Sequence, residues 1–295
     1  MAKYVIGLDG GGTKTELALV DMSGELLYTG VTGALNPMSE PESPLKTADE
    51  LKRIVDADCM AICAACAGVA DNERAELVKS ALSNIYNGRI IIRTDGENAL
   101  YTALENRDGL ALISGTGSIC YAKKNGQTVR TGGGGRGRAL ERGGRGYAIG
   151  RDILKAVIRA HDGRAAKTAL SEALFSYLGT DDIARITAKF TSSGCKKSDI
   201  ASLSKLILQC PGDEAANAII DSAATELFIM ARAAMDALQL EGCHVALMGG
   251  IMLNYPMIAS KTAGLIRSYD KAAACFLCDR SPAVAAAEYA LAQLK

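Results

Sequence analysis

Tyr4-Val-Ile-Gly-Leu-Asp-Gly-Gly-Gly-Thr-Lys-Thr-Glu-Leu-Ala-Leu-Val20 is the stretch on which the architecture turns. Tyr4 to Leu8 are mostly β-branched or bulky, and Thr15 to Asp21 alternate enough to read as a second strand. Between them stand Gly10, Gly11, Gly12, Thr13 and Lys14, so the pattern predicts a strand, a glycine turn and an antiparallel strand. Glycines leave a row of backbone N–H groups with no side chains in the way, which is a cradle for phosphate oxygens. The spacing is not that of the G-x-x-x-x-G-K-[ST] loop, and the turn leads into a strand rather than a helix. Asp9, at the end of the first strand, adds a carboxylate suited to Mg²⁺ held through water. An ordinary glycine hairpin would contain the same residues.

Working outward, Met22-Ser23-Gly24 is a turn into a third strand, Leu26 to Val31. The run from Thr47 to Ala57 starts with a Thr-x-x-Glu capping box and predicts a helix. Cys59 to Cys66 predicts a buried strand, Asn72 to Leu82 a helix, Arg89 to Arg93 a strand, and a further helix begins near Glu97. The plan restarts near Gly109. Leu110 to Ile113, Ser118 to Lys123 and Gln127 to Thr131 predict three strands, with Lys124-Asn125-Gly126 as a hairpin turn. Two such openings imply two copies of one supersecondary plan, although the copies are not alike in sequence. Residues 146–238 carry helical periodicity, 243–248 predict a strand ending at Gly249-Gly250, Ala274 to Leu277 a short strand, and Pro282 to Leu294 a closing helix. The class is α/β with sheets of mixed direction. Two domains follow, 1–105 with the helix 281–295 packing back on it, and 106–280 with a helical insertion.

Three further features bear on chemistry. Ser114-Gly115-Thr116-Gly117-Ser118 is a second glycine turn between strands, and two such turns facing each other across a cleft could grip one triphosphate. Asp95 follows a strand and precedes a helix, where a carboxylate can accept the proton of an attacking hydroxyl or simply cap the helix. Gly249 and Gly250 would let a base or ribose lie against backbone, as would any plain strand-to-helix turn.

The 295 residues carry 33 Lys and Arg against 33 Asp and Glu, which offers no general attraction for nucleic acid or an anionic membrane. The first residues reach an acid and glycines too soon for a signal peptide, and no apolar run approaches the ~20 residues of a membrane span, so the expectation is a cytoplasmic protein. Nine cysteines then read as reduced thiols. Cys63/Cys66 and Cys275/Cys278 have the spacing of half a metal or redox site but lie in apolar strand-like segments, where small buried thiols are common.

Taken in order, Gly7 to Glu16, Asn36-Pro37, Thr94-Asp95, Ile113 to Ser118, Met248-Gly249-Gly250 and Ser281 to Ala287 resemble the N-acetylglucosamine kinase and BadF/BadG/BcrA/BcrD ATPase family. That family lies within the acetate-kinase, sugar-kinase, heat-shock and actin superfamily. The resemblance implies two RNase H-like (actin-like ATPase) domains closing on ATP and substrate in a central cleft. It implies an ATP-dependent sugar kinase acting on an amino sugar such as N-acetylglucosamine or glucosamine. By the same resemblance Asp9 assists Mg²⁺, Gly11, Gly12, Thr13, Lys14, Gly115, Thr116 and Gly117 hold phosphates, and Gly249 and Gly250 border the adenosine. Asp95 becomes the general base and Asn36 a sugar contact, and a homodimer is implied.

The chain departs from that family between Gly134 and Gly150, where Arg142 and Gly143 replace an acidic pair that helps the sugar kinases hold sugar hydroxyls. Arginine accepts no hydrogen bond. Glu141 stands one place away and could compensate, so Glu141 and Arg142 are both candidate sugar contacts. Arg130, Arg136, Arg138, Arg142, Arg145 and Arg151 make the segment basic, which suits a carboxylate- or phosphate-bearing substrate or a solvated basic loop equally. Two alternatives to a sugar kinase stand beside it: an ATPase activating a partner enzyme, whose Lys-Cys-Ala-Ala-Gly-Thr-Gly iron–sulfur segment is missing here, and a degenerate nucleotide- or sugar-binding relative.

Overall fold

The computed structural model describes residues 3–133 and 145–294. The chain divides into two compact units, residues 1–106 with 280–295, and residues 107–279.

The first unit is built on β1 (Tyr4–Gly10), β2 (Thr15–Asp21), β3 (Leu26–Thr32), β4 (Cys59–Cys66) and β5 (Arg89–Thr94), in the order β3-β2-β1-β4-β5. β1 to β3 form an antiparallel meander, and β4 and β5 run parallel to β1. The second unit uses β6 (Gly109–Ser114), β7 (Ser118–Lys124), β8 (Gln127–Gly132), β9 (His244–Met248) and β10 (Ala274–Cys278), in the order β10-β9-β6-β7-β8. Its pairings repeat the first unit strand for strand. The duplicated plan expected from the two openings is therefore present as identical topology.

In the first unit, one sheet face packs on α1 (Ser43–Leu51) and α2 (Asn72–Ser83), and Leu51, Val78, Leu82, Ile6 and Leu8 are fully buried there. The other face is covered by α11 (Pro282–Ala292). Gly7 explains the alanines of that helix: a Cβ on it would fall 2.1 Å from the Ala283 carbonyl oxygen and 2.2 Å from the Ala287 nitrogen. Helix and strand thus touch at backbone, which only small residues permit. Ser281 caps the helix with Pro282 in its first turn. Between β5 and the second unit runs α3 (Asp95–Leu104).

The predicted helix from Thr47 to Ala57 is corrected. α1 starts at Ser43-Pro44 and ends at Leu51. Proline suits a helix start, and the Ser43 hydroxyl accepts the Asn36 N–H at 3.0 Å. Thr47 is buried inside the helix and donates to the Ala34 carbonyl (3.3 Å), while Glu50 accepts the Gly33 N–H (3.2 Å). The apparent capping pair ties the helix to the segment before it instead of closing its N-terminus.

The insertion of the second unit comprises α4 (Gly146–His161), α5 (Ala169–Leu178), α6 (Ile183–Thr191), α7 (Lys197–Ala201), a 3₁₀ segment (Ser202–Gln209) and α8 (Glu214–Leu238). α9 (Gly250–Asn254) and α10 (Pro256–Tyr269) separate β9 from β10. One apolar cluster, from Leu110 and Leu112 on the sheet to Ile153, Leu170, Leu227 and Ile258 on the helices, joins these layers.

Cys63 packs with Ala286 and Ala287 beneath α11, whereas Cys66 packs with Leu35 and Leu51 on the opposite face of β4. Strand alternation sends i and i+3 to opposite sides, so this pair cannot share a metal. Burial pushes both thiols up to about 12.

Candidate functional site

The β1–β2 loop is a tight reversal in which the Gly11 N–H donates to the Lys14 carbonyl at 3.0 Å. Gly12, Thr13 and Lys14 are exposed. Lys14 bonds Glu16 at 2.6 Å, and Glu16 pairs across the strands with Asp9. Two carboxylates directly opposite repel. Burial raises the Asp9 carboxyl to about 6, and the charges of Glu16 and Asp95 push the same way. Against this, the Asn98 side-chain amide donates to Asp9 at 3.4 Å and to the Pro282 carbonyl at 3.0 Å. Asn98 is fully buried, and its amide oxygen has no hydrogen-bond partner among the described residues. Nothing in the sequence marks Asn98 as part of the site, because an Asn one turn into a helix has no local signature.

Asp95 is exposed at the first position of α3. The capping task alternatively assigned to it belongs to Thr94, whose hydroxyl accepts the Glu97 N–H (3.1 Å) while Glu97 accepts the Thr94 N–H (2.8 Å). Beside that reciprocal box the Asp95 carboxylate accepts the Gly96 N–H at 2.9 Å. Asn36 is buried. Its amide oxygen accepts the Met38 and Ser39 N–H groups at 3.2 and 3.3 Å, and its amide nitrogen lies beside Gly12, 3.7 Å from where a Cβ would stand. Asp9, Asp95, Asn36 and the loop thus belong to one unit, and the first two interact directly.

In the second unit the β6–β7 loop closes with the Gly115 N–H donating to the Gly117 carbonyl at 2.8 Å. A Cβ on Gly115 or Gly117 would meet nothing within 4 Å, so packing does not require glycine at either position. Gly249 differs. Its φ is +87°, and a Cβ would lie 2.5 Å from the Ser114 carbonyl oxygen, so it serves the close approach of β9 to β6.

Gly115, Thr116 and Gly250 line one cavity of about 570 Å³, together with Gly146, Lys205 and Asn254. Its far wall is formed by Ser198, Ala201, Ser202 and Leu208. The volume lies in the usual range for small-molecule sites. The far wall is absent from the sequence reading, since its residues show only helical periodicity. Glu141 and Arg142, the remaining candidate sugar contacts, lie outside the described residues.

A family model described as the BadF/BadG/BcrA/BcrD ATPase family matches residues 6–275. The chain belongs to that family. Within it, the chain is 32% identical over 272 residues, 85% of this chain and 86% of the relative, to an N-acetylmuramic acid/N-acetylglucosamine kinase of Clostridium acetobutylicum. It is 30% identical over 264 residues, 82% of each chain, to an N-acetyl-D-glucosamine kinase of Dictyostelium discoideum. A solved structure of a proposed N-acetylglucosamine kinase from Chromobacterium violaceum superposes with a TM-score of 0.73 at 24% identity, covering 100% of this chain and 99% of that one. The last likeness shows that the two chains share a fold.

Proposed function

We propose that the chain is an ATP-dependent kinase that transfers the γ-phosphoryl group to a hydroxyl of an amino sugar of the N-acetylglucosamine type. The observation that carries the phosphoryl chemistry is the nucleotide-sized cavity ending at Gly115-Thr116, where Gly115 serves no packing need. The amino-sugar acceptor is supported by the activities for which the two relatives are named.

In this reading the loops Gly11 to Lys14 and Gly115 to Gly117 supply backbone N–H groups to phosphate oxygens, and Gly250 borders the nucleoside. Asp95 accepts the proton of the sugar hydroxyl as its oxygen bonds to the γ-phosphorus, and the bond from that phosphorus to the bridging oxygen breaks to release ADP. Such transfer depends on positioning and electrostatics. A divalent cation fits the excess negative charge around Asp9, Glu16 and Asp95. Because no three acidic, His or Cys side chains among the described residues come together as a direct metal cage, Asp9 would hold Mg²⁺ through water and phosphate oxygens. Mg²⁺ would neutralise charge on the transferring phosphoryl group. Asn36 and the Glu141–Arg142 segment would meet the sugar.

Asp95→Asn tests the assignment. ADP release dependent on N-acetylglucosamine should fall by roughly 10²–10⁴-fold, with ATP affinity within a few-fold of the parent. Unchanged turnover would remove Asp95 from the mechanism.

A further inference from the structure

Arg151, the last residue of the basic run, lies on α4, where Lys155 and Arg159 follow at four-residue spacing and so share its face. That stripe borders a second cavity of about 410 Å³ in the second unit. Its floor is apolar, made by Leu154 and Ile158 of α4, Ile186 and Phe190 of α6, and Ile200 of α7. Arg164 completes the basic rim, and no Asp or Glu lines the cavity. Arg151 is bonded to Asp152 and Arg164 to Asp162. Lys155 and Arg159 are exposed and have no ion pair among the described residues.

This chemistry differs from that of a sugar site. The Thr191 hydroxyl is already spent on the Thr187 carbonyl at 2.8 Å, so the neutral polar groups left on the lining are the Tyr147 and Thr187 hydroxyls. An apolar body would instead gain by leaving water on the floor, and an anionic head would meet two cations that lack a carboxylate. We propose that this cavity binds a small amphiphilic anion, an apolar body carrying one carboxylate, phosphate or sulfonate.

The cavity also shares a wall with the nucleotide-sized one. Ile200 faces the second cavity, while Ser198 and Ala201 of the same short helix line the first. α7 rests on α4 at backbone, where a Cβ on Gly150 would fall 1.9 Å from the Ile200 carbonyl oxygen, so a shift at Ile200 is passed to the rest of this short helix. An occupant pressing on Ile200 therefore changes the nucleotide wall, and ligand and ATP affinities are linked. This coupling rests on the nucleotide reading of the first cavity; the binding site itself does not.

Anilinonaphthalene sulfonate serves as the probe, titrated by fluorescence into the full chain with ADP saturating. Saturable binding is expected, weakened at least about tenfold in Lys155→Ala/Arg159→Ala and abolished by Thr187→Trp, which fills the mouth from an exposed position. Decanoate and decyl phosphate should both displace the probe, and their relative strength identifies the preferred head group. Probe binding equal in parent and double variant would overturn the site. So would a change of oligomeric state in the double variant, since a second copy would then cover this face. In the kinase assay, saturating probe should shift KM for ATP by roughly threefold or more, with no shift in the double variant. An unmoved KM overturns the coupling through α7, and absence of kinase activity with intact probe binding overturns the proposed function alone.

Discussion

At the scale of single residues, Asp9 carries opposing demands. Its carboxyl is held up at about 6 by burial and by its acidic neighbours, whereas an unfolded chain releases that proton near the usual value of about 3.9. The stability Asp9 contributes is thus present in full below about pH 4 and is lost as the pH rises through about 6, where the folded state must bear a buried charge. Asp9→Asn should accordingly be more stable than the parent by about 1–3 kcal/mol near pH 8 in metal-free buffer, with the gain shrinking toward pH 4, as read from urea midpoints. Mg²⁺ with nucleotide should narrow the difference by stabilising the parent more than the variant. A parent stability that does not fall between about pH 4 and 8 would contradict the burial argument. The sequence marks Asp9 by its place at a strand end beside a glycine turn and Asp95 by its place between a strand and a helix. Asn98 was not, because its role exists only where α3 passes behind β1 and meets the Pro282 carbonyl.

At the scale of elements, glycine serves two unrelated purposes. Gly7 lets α11 lie directly on β1, so Gly7→Ala forces strand and helix apart and should lower stability by at least about 2–3 kcal/mol, seen as an earlier urea midpoint. Gly115→Ala meets open space and should unfold like the parent, while on the proposed function ATP affinity should fall about tenfold or more, because the added methyl would occupy the path of a phosphate. Equal stability of Gly7→Ala and the parent, or unchanged nucleotide binding by Gly115→Ala, would break that distinction. Strand bounds were readable to within a residue or two, since apolar runs ending at Gly, Asn or Asp leave little choice. α1 was misplaced because Thr47 and Glu50 match a capping box by spacing, yet both side chains are claimed by the Gly33-Ala34 segment.

At the scale of the whole molecule, the two units share one strand order without sharing a sequence, so different side chains support the same topology. The first glycine loop opens onto acids; the second opens onto a nucleotide-sized cavity. The acceptor preference should follow the family. In an ADP-release panel, N-acetylglucosamine should exceed glucose by at least about tenfold in kcat/KM. N-acetylmuramic acid should also be accepted, and Arg142→Ala should reduce turnover of this carboxylate-bearing sugar selectively. Equal use of glucose and N-acetylglucosamine would refute the amino-sugar assignment.

The sequence by itself determined the strand plan, its repetition, both glycine loops and the acid at the end of β5, because each is written in neighbouring residues through alternation, turn chemistry and spacing. Tertiary structure alone decided that Asn98 positions Asp9, that Gly249 serves strand approach, that Cys63 and Cys66 face apart, and that Gly146, Ser198, Ala201, Ser202, Leu208, Gly250 and Asn254 surround one cavity. Those groups converge from segments far apart in the chain, and helical periodicity records which residues are apolar without recording which helices will meet.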